Sequence, residues 1–355
     1  MKTGSMPAGQ VQDMEYKVRS AKCEVRKERT SHPAPRPPHI FTYRRVVERL
    51  LRAGVESALL DAACLMEATS GIPRWRFILE PERSIASGRS GLLESMLSRR
   101  EAREPIAYVL GVKEFWSLSL RVSRGVLIPR PETETLVEAV LEKVSSEFRV
   151  PSSELEVASS RLTAGSVNPK PGTRNPELRI VDIGTGSGAI ALALAMELPH
   201  ARIYALERSS GAIRTARRNV EALGLTDRVH CMQGDLFGPF RADLDAGGFD
   251  LIVSNPPYIP SGALAELPPE IAAYEPLEAV DGGPDGLRHH RRIIEEAPGF
   301  LREDGWLALE IGDGQTSAVM GLIRRTEAFG LAEVRQDLGG RDRVVLARRR
   351  ARPHG

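Results

Sequence analysis

The sequence predicts an α/β protein with a doubly wound, mainly parallel sheet of seven strands, preceded by a small helical domain and a β-hairpin linker. From about residue 178 onwards, short apolar strands alternate with helical segments, as in parallel sheets covered by helices. The last two strands are separated only by Gly339-Gly340-Arg341-Asp342, which forces an antiparallel hairpin at the C-terminal end. Between residues 41 and 104, apolar residues recur at helical spacing.

The composition is ordinary for a globular protein, and the length of 355 residues suggests about two domains. The net charge of +2 arises from 49 basic and 47 acidic side chains, which gives little support to a dedicated nucleic-acid binder. The three cysteines are too few and too scattered for a disulfide framework or a zinc site, so we expect no metal. No apolar run approaches the roughly 18 to 20 residues of a membrane span, and we expect a cytoplasmic protein.

Composition and periodicity divide the chain into four predicted regions. Residues 1–40 are polar, lack periodicity and end in a proline cluster, which predicts a disordered arm. Residues 41–104 predict a helical bundle that serves either for partner recognition or for packing. Residues 105–130 change to near-alternating apolar positions and predict the β-hairpin linker. Residues 131–350 predict the large domain, with a flexible insertion rich in Ser, Pro and Thr at 145–177.

The large domain opens with ordinary helix-start chemistry and continues as alternating strands and helices. A proline at the first helical position followed by acids explains Pro131 and Glu132, but it does not explain Arg130. Strands are predicted near 179–183, 202–206, 228–232, 249–254, 306–311, 331–337 and 343–348, and helices near 189–198, 211–223, 286–302 and 315–327. The ends of the first four strands are expected along one edge of the sheet, where open α/β folds bind ligands.

The first strand leads into a glycine-rich turn, Gly184-Thr185-Gly186-Ser187-Gly188. Glycines at a strand-to-helix turn allow positive φ and let a ligand approach the backbone closely. Together with Ala189 the spacing also fits the dinucleotide fingerprint. The loop alone therefore leaves a nicotinamide dinucleotide and S-adenosylmethionine open as cofactors.

Two acids stand where the following strands end. Glu207 lies about 20 residues past the glycine loop, the position from which an acid accepts the ribose hydroxyls in nucleotide folds. Asp235, followed by Leu236, could accept a hydrogen bond from the adenine amine. A solvated strand-end carboxylate explains each acid equally well on its own. Their joint placement at one sheet edge favours a cofactor site.

The fourth strand ends in Asn255-Pro256-Pro257-Tyr258, the stretch expected to carry the chemistry. A residue before proline is pushed to an extended shape, and the prolines lack N–H groups, so the segment presents mainly acceptors. The Asn255 oxygen beside a fixed carbonyl could accept both hydrogens of a planar –NH2 group, and Tyr258 could cover that group. A proline-rich turn that closes the strand is the competing interpretation.

The glycine loop, the C-terminal hairpin and the Asn-Pro-Pro-Tyr stretch together resemble class I S-adenosylmethionine-dependent methyltransferases that act on amino nitrogens. Two such families fit: DNA adenine or cytosine amino-methyltransferases, and the protein-(glutamine-N5) methyltransferases that modify peptide chain release factors. Resemblance to the second covers nearly everything from Phe41 to Arg348 except the insertion, and its most specific part is Pro129-Arg130-Pro131-Glu132-Thr133-Glu134. It also includes Arg103 to Gly111, Glu114-Phe115-Trp116, Ser254 to Ile259, Glu275-Pro276, Gly282-Gly283, Asp285-Gly286-Leu287 and Leu309-Glu310-Ile311-Gly312.

This second resemblance implies a Rossmann-like methyltransferase sheet that binds S-adenosylmethionine through the glycine loop, the two acids, Leu236 and Asn255. It implies that the helical domain grips a class I peptide chain release factor and that the glutamine of the factor's Gly-Gly-Gln motif is methylated. The Asn255 oxygen and the Pro256 carbonyl would hold the glutamine amide, with Pro257 stiffening the stretch and Tyr258 packed against the substrate. Further substrate contacts would come from Arg130, Glu132 and Thr133.

The sequence departs from the family pattern at Leu236, where an aromatic residue is frequent, and at His289-His290, where a tyrosine is commoner. We expect a monomer that has no direct contact with nucleic acid or membrane. Two alternatives stay open at this point: a DNA amino-methyltransferase acting on adenine N6, and a catalytically silent methyltransferase fold that serves as a ribosome-associated binding module.

Overall fold

A computed structural model describes residues 41–147, 178–240 and 248–351 of the chain. The predicted disordered arm at residues 1–40 lies outside the described residues, as does most of the predicted insertion. Within the described part of the chain, no helix is long and apolar enough to cross a bilayer.

The first helices form a small bundle with its own apolar core. They are α1 (Tyr43–Arg52), α2 (Ala58–Ser70), α3 (Arg74–Leu79), α4 (Ser90–Glu101) and α5 (Ile106–Leu110). The core of the bundle includes Leu50, Leu65 and Phe77, none of which is solvent-exposed. Helix α2 ends at Gly71, whose φ of +74° is a backbone conformation that glycine adopts without strain.

Strands β1 (Val112–Phe115) and β2 (Leu118–Arg121) pair in an antiparallel hairpin within the predicted linker. The segment before them, which the sequence pattern assigned to the linker, is helix α5. The turn residues Trp116 and Ser117 both have positive φ, at 51° and 59°, as a tight hairpin turn requires. Phe115 and Leu120 are buried in the same apolar cluster as the main sheet, so the hairpin packs onto the large domain.

The main sheet has seven strands in the order β5-β4-β3-β6-β7-β9-β8, which confirms the predicted fold class. The strands are β3 (Arg179–Ile183), β4 (Arg202–Glu207), β5 (Val229–Gln233), β6 (Phe249–Ser254), β7 (Leu301–Glu310), β8 (Phe329–Gln336) and β9 (Asp342–Arg349). Strands β3 to β7 pair in parallel, whereas β9 pairs antiparallel with both β7 and β8.

Helices flank both faces of the sheet. The helices of the large domain are α6 (Glu134–Glu147), α7 (Ala189–Glu197), α8 (Ser210–Ala222), α9 (Pro269–Tyr274), α10 (Arg288–Glu296) and α11 (Thr316–Arg325). Of these, the short α9 contacts the helical bundle instead of the sheet. Two predicted boundaries were wrong. Helix α10 ends before residue 302, and a 3-10 turn that contains Pro298 and Gly299 leads into β7. Helix α6 extends into the segment predicted as flexible, where the Ser145 hydroxyl donates to the Leu141 carbonyl at 2.8 Å.

The sheet order places the switch point of the chain between β3 and β6. The chain runs outward from β3 through β4 to β5 and then returns to place β6 on the other side of β3. Every residue of β6 is buried, and separate apolar clusters cover the two faces of the sheet. In doubly wound folds a ligand crevice lies at this point, outside the carboxyl ends of the strands.

Ion pairs join the helical bundle to the segment that follows β6. Glu270 in α9 accepts a hydrogen bond from Arg103 Nε at 2.6 Å and another from Arg100 Nη1 at 3.1 Å. The Tyr274 hydroxyl donates to the Ala102 carbonyl at 2.5 Å. The helical bundle is thereby fixed to the region that carries the candidate site.

Candidate active site

A single cleft at the switch point collects most of the residues singled out from the sequence. Its lining includes Gly184, Thr185, Gly186, Ser187, Glu207, Asp235, Leu236, Asn255, Pro256, Pro257, Arg130 and Thr133. Three residues from the same predictions, Gly188, Glu132 and Tyr258, do not line it. These segments meet because the carboxyl ends of neighbouring parallel strands share one edge of the sheet.

The three glycines of the loop have different roles. Gly184, Gly186 and Gly188 all have positive φ, at 73°, 58° and 89°. A Cβ atom on Gly184 would have no neighbouring atom within 4 Å, whereas one on Gly188 would lie 3.2 Å from Leu192 Cδ1 and 3.5 Å from Ala216 Cβ. The first glycine is therefore open towards the cleft, and Gly188 allows close packing of α7 and α8.

A buried carboxylate, Asp182, holds the loop from below. Its Oδ2 accepts hydrogen bonds from the Thr185 hydroxyl at 2.5 Å and from the Ala191 N–H at 3.2 Å. Burial raises the pKa of Asp182 to about 7, against the lowering effect of these two hydrogen bonds. No role was predicted for Asp182, although an acid within an apolar strand is itself a signal.

Glu207 at the end of β4 is fixed by backbone donors. Its Oε2 accepts from the Gly186 N–H at 3.0 Å, and its Oε1 accepts from the Ser209 N–H at 2.7 Å. A carboxylate has about four acceptor sites, so acceptor capacity remains for a diol in the cleft. The open backbone at Gly184 and this anchored carboxylate fit the ribose end of S-adenosylmethionine.

At the other end of the cleft, the predicted cofactor residues Asp235 and Leu236 have contacts that the sequence did not indicate. Asp235 forms an ion pair with Arg292 of α10 at 2.7 Å, and this hydrogen bond lowers the pKa of Asp235. Leu236 has a φ of +47°, and its side chain is buried in the apolar core below the cleft. His289 lines this end as well, and burial together with nearby arginines lowers its pKa. No site role was predicted for His289, which stood out in the sequence only as a departure from the family pattern.

Asn255 lies at the end of β6 with one side of its amide already bound. Its Nδ2 donates to the Thr133 hydroxyl oxygen at 2.9 Å. The preceding Ser254 is fixed to β3, since its hydroxyl donates to the Ile183 carbonyl at 2.7 Å. With Nδ2 committed to Thr133, the Asn255 Oδ1 is the acceptor that remains for a ligand in the cleft.

Tyr258 fixes the Asn-Pro-Pro-Tyr stretch to Gly312 and Gln315. Its backbone carbonyl accepts from Gln315 Nε2 at 2.9 Å, and a Cβ atom added to Gly312 would lie 3.0 Å from its ring. Burial raises the pKa of the Tyr258 hydroxyl to about 12. The proposed contact between Tyr258 and a substrate stays a prediction.

Arg130, which helix-start chemistry left unexplained, forms an ion pair with Glu275 at 2.5 Å. The Glu275 side chain is only 2% exposed, and it also accepts from the Ile128 N–H at 3.2 Å. The pair fixes the segment before α6 to the segment after α9, and both segments line the cleft. Arg130 therefore has a structural role here.

Comparison with known proteins places the two regions in characterised families. Residues 42–111 match the family described as the PrmC N-terminal domain, and residues 167–266 match the Methyltransferase small domain. Proteins named release factor glutamine methyltransferase are similar over most of their length. The protein from Geobacter sulfurreducens is 39% identical over 315 residues, which cover 88% of this chain and 98% of the relative. The protein from Moorella thermoacetica is 41% identical over 305 residues, covering 86% and 96%.

Proposed function

This chain belongs to the release factor glutamine methyltransferase family and is an S-adenosylmethionine-dependent methyltransferase, and from that premise we propose which atoms of the cleft perform the reaction. The proposed substrate is the N5 amide nitrogen of the glutamine in the Gly-Gly-Gln motif of class I peptide chain release factors. The family supports this substrate, and it supports neither a DNA amino-methyltransferase nor a silent binding module.

The state of Asn255 is the observation that carries the proposal. Its Nδ2 is held by Thr133 at 2.9 Å, and its side chain borders the same cleft as the glycine loop and Glu207. In the proposed arrangement, the Oδ1 acceptor faces the space that the cofactor half of the site also borders. A primary amide placed there can donate one hydrogen to Asn255 Oδ1 and the other to the Pro256 carbonyl.

Positioning is the main contribution required of the protein. An amide nitrogen shares its lone pair with the neighbouring carbonyl, so its direction of approach matters more than a strong base. Holding two reactants in the correct geometry can lower a barrier by about 7–11 kcal/mol. When S-adenosylmethionine is bound, it supplies an electrophilic methyl group on a positively charged sulfur. Gly184, Gly186 and Glu207 would hold the cofactor, and the proton released from the nitrogen passes to water.

We further propose that the helical region, residues 41–104, recognises the release factor. Its attachment to α9 through Glu270 keeps it at a fixed position relative to the residues after Asn255. The proposed location is cytoplasmic, because the substrate belongs to translation. A monomeric state is also part of the proposal. Arg130 and Thr133 border the cleft, and substrate contacts from them are part of the proposal, as is one from Glu132.

Incubation with labelled S-adenosylmethionine tests this function directly. The acceptors are a purified release factor, the same factor with the motif glutamine replaced by alanine, and duplex DNA. Label is expected in the first acceptor alone. Label on DNA, or equal label on both forms of the factor, would refute the proposed substrate. Cofactor binding without transfer to any acceptor would support the silent module instead.

A further inference from the structure

Glu310 is a buried carboxylate beside the cleft that the proposed reaction does not use. It ends β7, its side chain is 0% exposed, and it is not among the residues that line the cleft. Its neighbours come from four parts of the fold: Thr133 and Glu132 before α6, Tyr258 after β6, Arg343 of β9, and His290 of α10.

The carboxylate has polar neighbours but no formed hydrogen bond. Among the described residues, neither of its oxygens has a partner at hydrogen-bond geometry, although the Thr133 and Tyr258 hydroxyls are close enough to lower its pKa. The Arg343 guanidinium is directed elsewhere, towards Asp337 at 3.1 Å and the Ile311 carbonyl at 3.3 Å. His290 contacts the backbone carbonyl of Glu310, at 2.9 Å, through its Nε2.

Thr133 links this carboxylate to Asn255. A hydroxyl group has one hydrogen and two lone pairs. Because the Thr133 oxygen accepts from Asn255 Nδ2, its own hydrogen must point away from Asn255. Glu310 is the buried carboxylate beside the Thr133 hydroxyl. If the hydrogen turned towards Asn255 instead, the amide would lose its anchor and could rotate to present Nδ2 to the cleft.

We infer that Glu310 is a positioning residue, which orients the Thr133 hydroxyl so that Asn255 presents its Oδ1 to the substrate amide. The inference rests on the proposed function in one respect, namely that Asn255 Oδ1 is the acceptor. It assigns a role to the Leu309-Glu310-Ile311-Gly312 segment, and it connects that segment to Thr133, which lies in the block before α6.

A purely structural role and a positioning role for Glu310 predict different effects on stability and turnover when Glu310 is replaced. Burying a carboxylate without a hydrogen-bonded partner destabilises the folded state. Replacement by an apolar side chain of similar length is therefore expected to leave stability unchanged or to raise it. A residue kept for function despite that cost should show lower turnover in the same variant.

Titration provides a second signature. Burial raises the pKa of Glu310 to about 7, whereas burial lowers that of His290 to about 4 and raises that of Tyr258 to about 12. The charged neighbours Glu132 and Arg343 complete the surroundings. An ionised Glu310 can only accept from Thr133, whereas a protonated one can also donate to it. Turnover at saturating cofactor should thus rise as pH increases through about 7.

The test compares Glu310→Met and Glu310→Gln with Thr133→Val and Thr133→Ser, using Glu303→Gln, at an exposed position of the same strand β7, as the matched control. Glu310→Met should lower turnover by about 10- to 100-fold without loss of stability, because the substrate amide would lose its hydrogen bond to Asn255 Oδ1 and one polar group left unpaired costs about that much. Glu310→Gln keeps a neutral acceptor, so it should retain more turnover but lose the rise with pH. Thr133→Ser keeps the hydroxyl, so it should retain more turnover than Thr133→Val, and Glu303→Gln should be unchanged in every readout.

Coupling and cofactor binding complete the design. The Glu310→Met, Thr133→Val double variant should be no slower than Thr133→Val alone, because both changes interrupt one chain of contacts. Cofactor affinity by calorimetry should stay unchanged throughout. Full additivity of the two changes, or wild-type turnover and pH dependence in Glu310→Gln and Glu310→Met, would overturn the inference.

A readout without substrate separates this inference from the proposed function. The side-chain amide signals of Asn255, followed by NMR from about pH 6 to about pH 8, should shift in the wild type and stay constant in Glu310→Gln. If release factor methylation fails but these signals shift, the substrate assignment is wrong and the coupling stands. Signals that titrate equally in both proteins would refute the coupling.

Discussion

The two halves of the cleft are each supported by a buried carboxylate, and the two carboxylates are used differently. Asp182 is the last residue but one of β3, below the cofactor loop, and Glu310 ends β7. Both are 0% exposed, and burial raises the pKa of each to about 7. Asp182 accepts two hydrogen bonds at good geometry, whereas neither oxygen of Glu310 has a partner among the described residues.

The half of the cleft around the glycine loop is held by contacts between residues that are near in the chain. The half around Asn255 is held by contacts between distant residues. Asp182 and Glu207 are held by groups at most 21 positions away in the chain. Asn255 is held by Thr133, which lies 122 positions away. The difference indicates a cofactor site built by two strands that are neighbours in the chain and an acceptor whose direction is set by the assembled fold.

Replacing Asn255, the proposed acceptor for the substrate amide, should give the largest effect. It should impair only the half of the cleft around Asn255. Asn255→Ala leaves the glycine loop intact, so cofactor affinity should stay near wild type. Methyl transfer should fall by about 100-fold or more, because misplacement of a reactant by about 1 Å already costs that much. Single-turnover transfer and calorimetry measure the two quantities, with the exposed Gln336→Ala as control. Near-normal turnover would rule out Asn255 as the acceptor.

Replacing Glu207, the proposed ribose acceptor, should impair the half of the cleft that binds the cofactor. Glu207→Ala should weaken S-adenosylmethionine binding by about 10- to 100-fold, since a hydrogen bond to a charged group is lost and the Gly186 N–H loses its partner. Glu278→Ala is the matched control, because Glu278 also lines the cleft but its side chain is 63% exposed in an ion pair with Arg208. Unchanged affinity in Glu207→Ala by calorimetry would refute the assignment.

A smaller effect is expected at Arg130, which forms an ion pair with the buried Glu275. Arg130→Ala leaves Glu275 buried without its ion-pair partner, so the free energy of unfolding should fall by about 2 kcal/mol. This is less than for a fully buried pair because the Arg130 side chain is 30% exposed. Arg208→Ala, from an exposed pair, should change stability by less than about 0.5 kcal/mol. Chemical denaturation measures both, and equal effects would contradict a structural role for Arg130.

The last prediction concerns Asp182 and the pH dependence of stability. Its pKa rises from 3.8 to about 7 on folding, so the folded state binds the proton more tightly. The resulting stabilisation is fully present below pH 3.8 and is lost as pH rises through about 7. Asp182→Asn should flatten that slope. Asp281→Asn is a control of opposite sign, because hydrogen bonds from Ser261 and Gly283 lower the Asp281 pKa. A slope in Asp182→Asn equal to wild type would contradict the assignment.

Local patterns were sufficient to predict the frame of the molecule. Each strand of the main sheet was found near its observed position, because short apolar runs between turns carry a strong signal. The glycine loop and the Asn-Pro-Pro-Tyr stretch were found because glycine and proline restrict the backbone at the positions where they occur. The boundary between α10 and β7 was missed, since the apolar residues there fit either kind of element.

Partners distant in the chain were beyond reach of the same reasoning. Nothing near Arg130 indicates Glu275, which lies 145 positions later, and nothing near Asp235 indicates Arg292, which lies 57 positions later. A carboxylate at a strand end is also ambiguous, because the sequence does not state whether it faces solvent, a ligand or a buried hydroxyl.

The sequence by itself determined the order of the strands and helices, the cofactor loop and the rigid acceptor stretch, because each depends on residues that are neighbours in the chain. Only the tertiary structure decided the direction in which Asn255 presents its amide. That direction is set by Thr133, whose hydroxyl oxygen accepts from Asn255 Nδ2 at 2.9 Å, and the proposed role of Glu310 is to orient that hydroxyl. A hydrogen bond needs its two atoms within about 3 Å, and only folding brings Thr133 and Asn255, which lie 122 positions apart, that close.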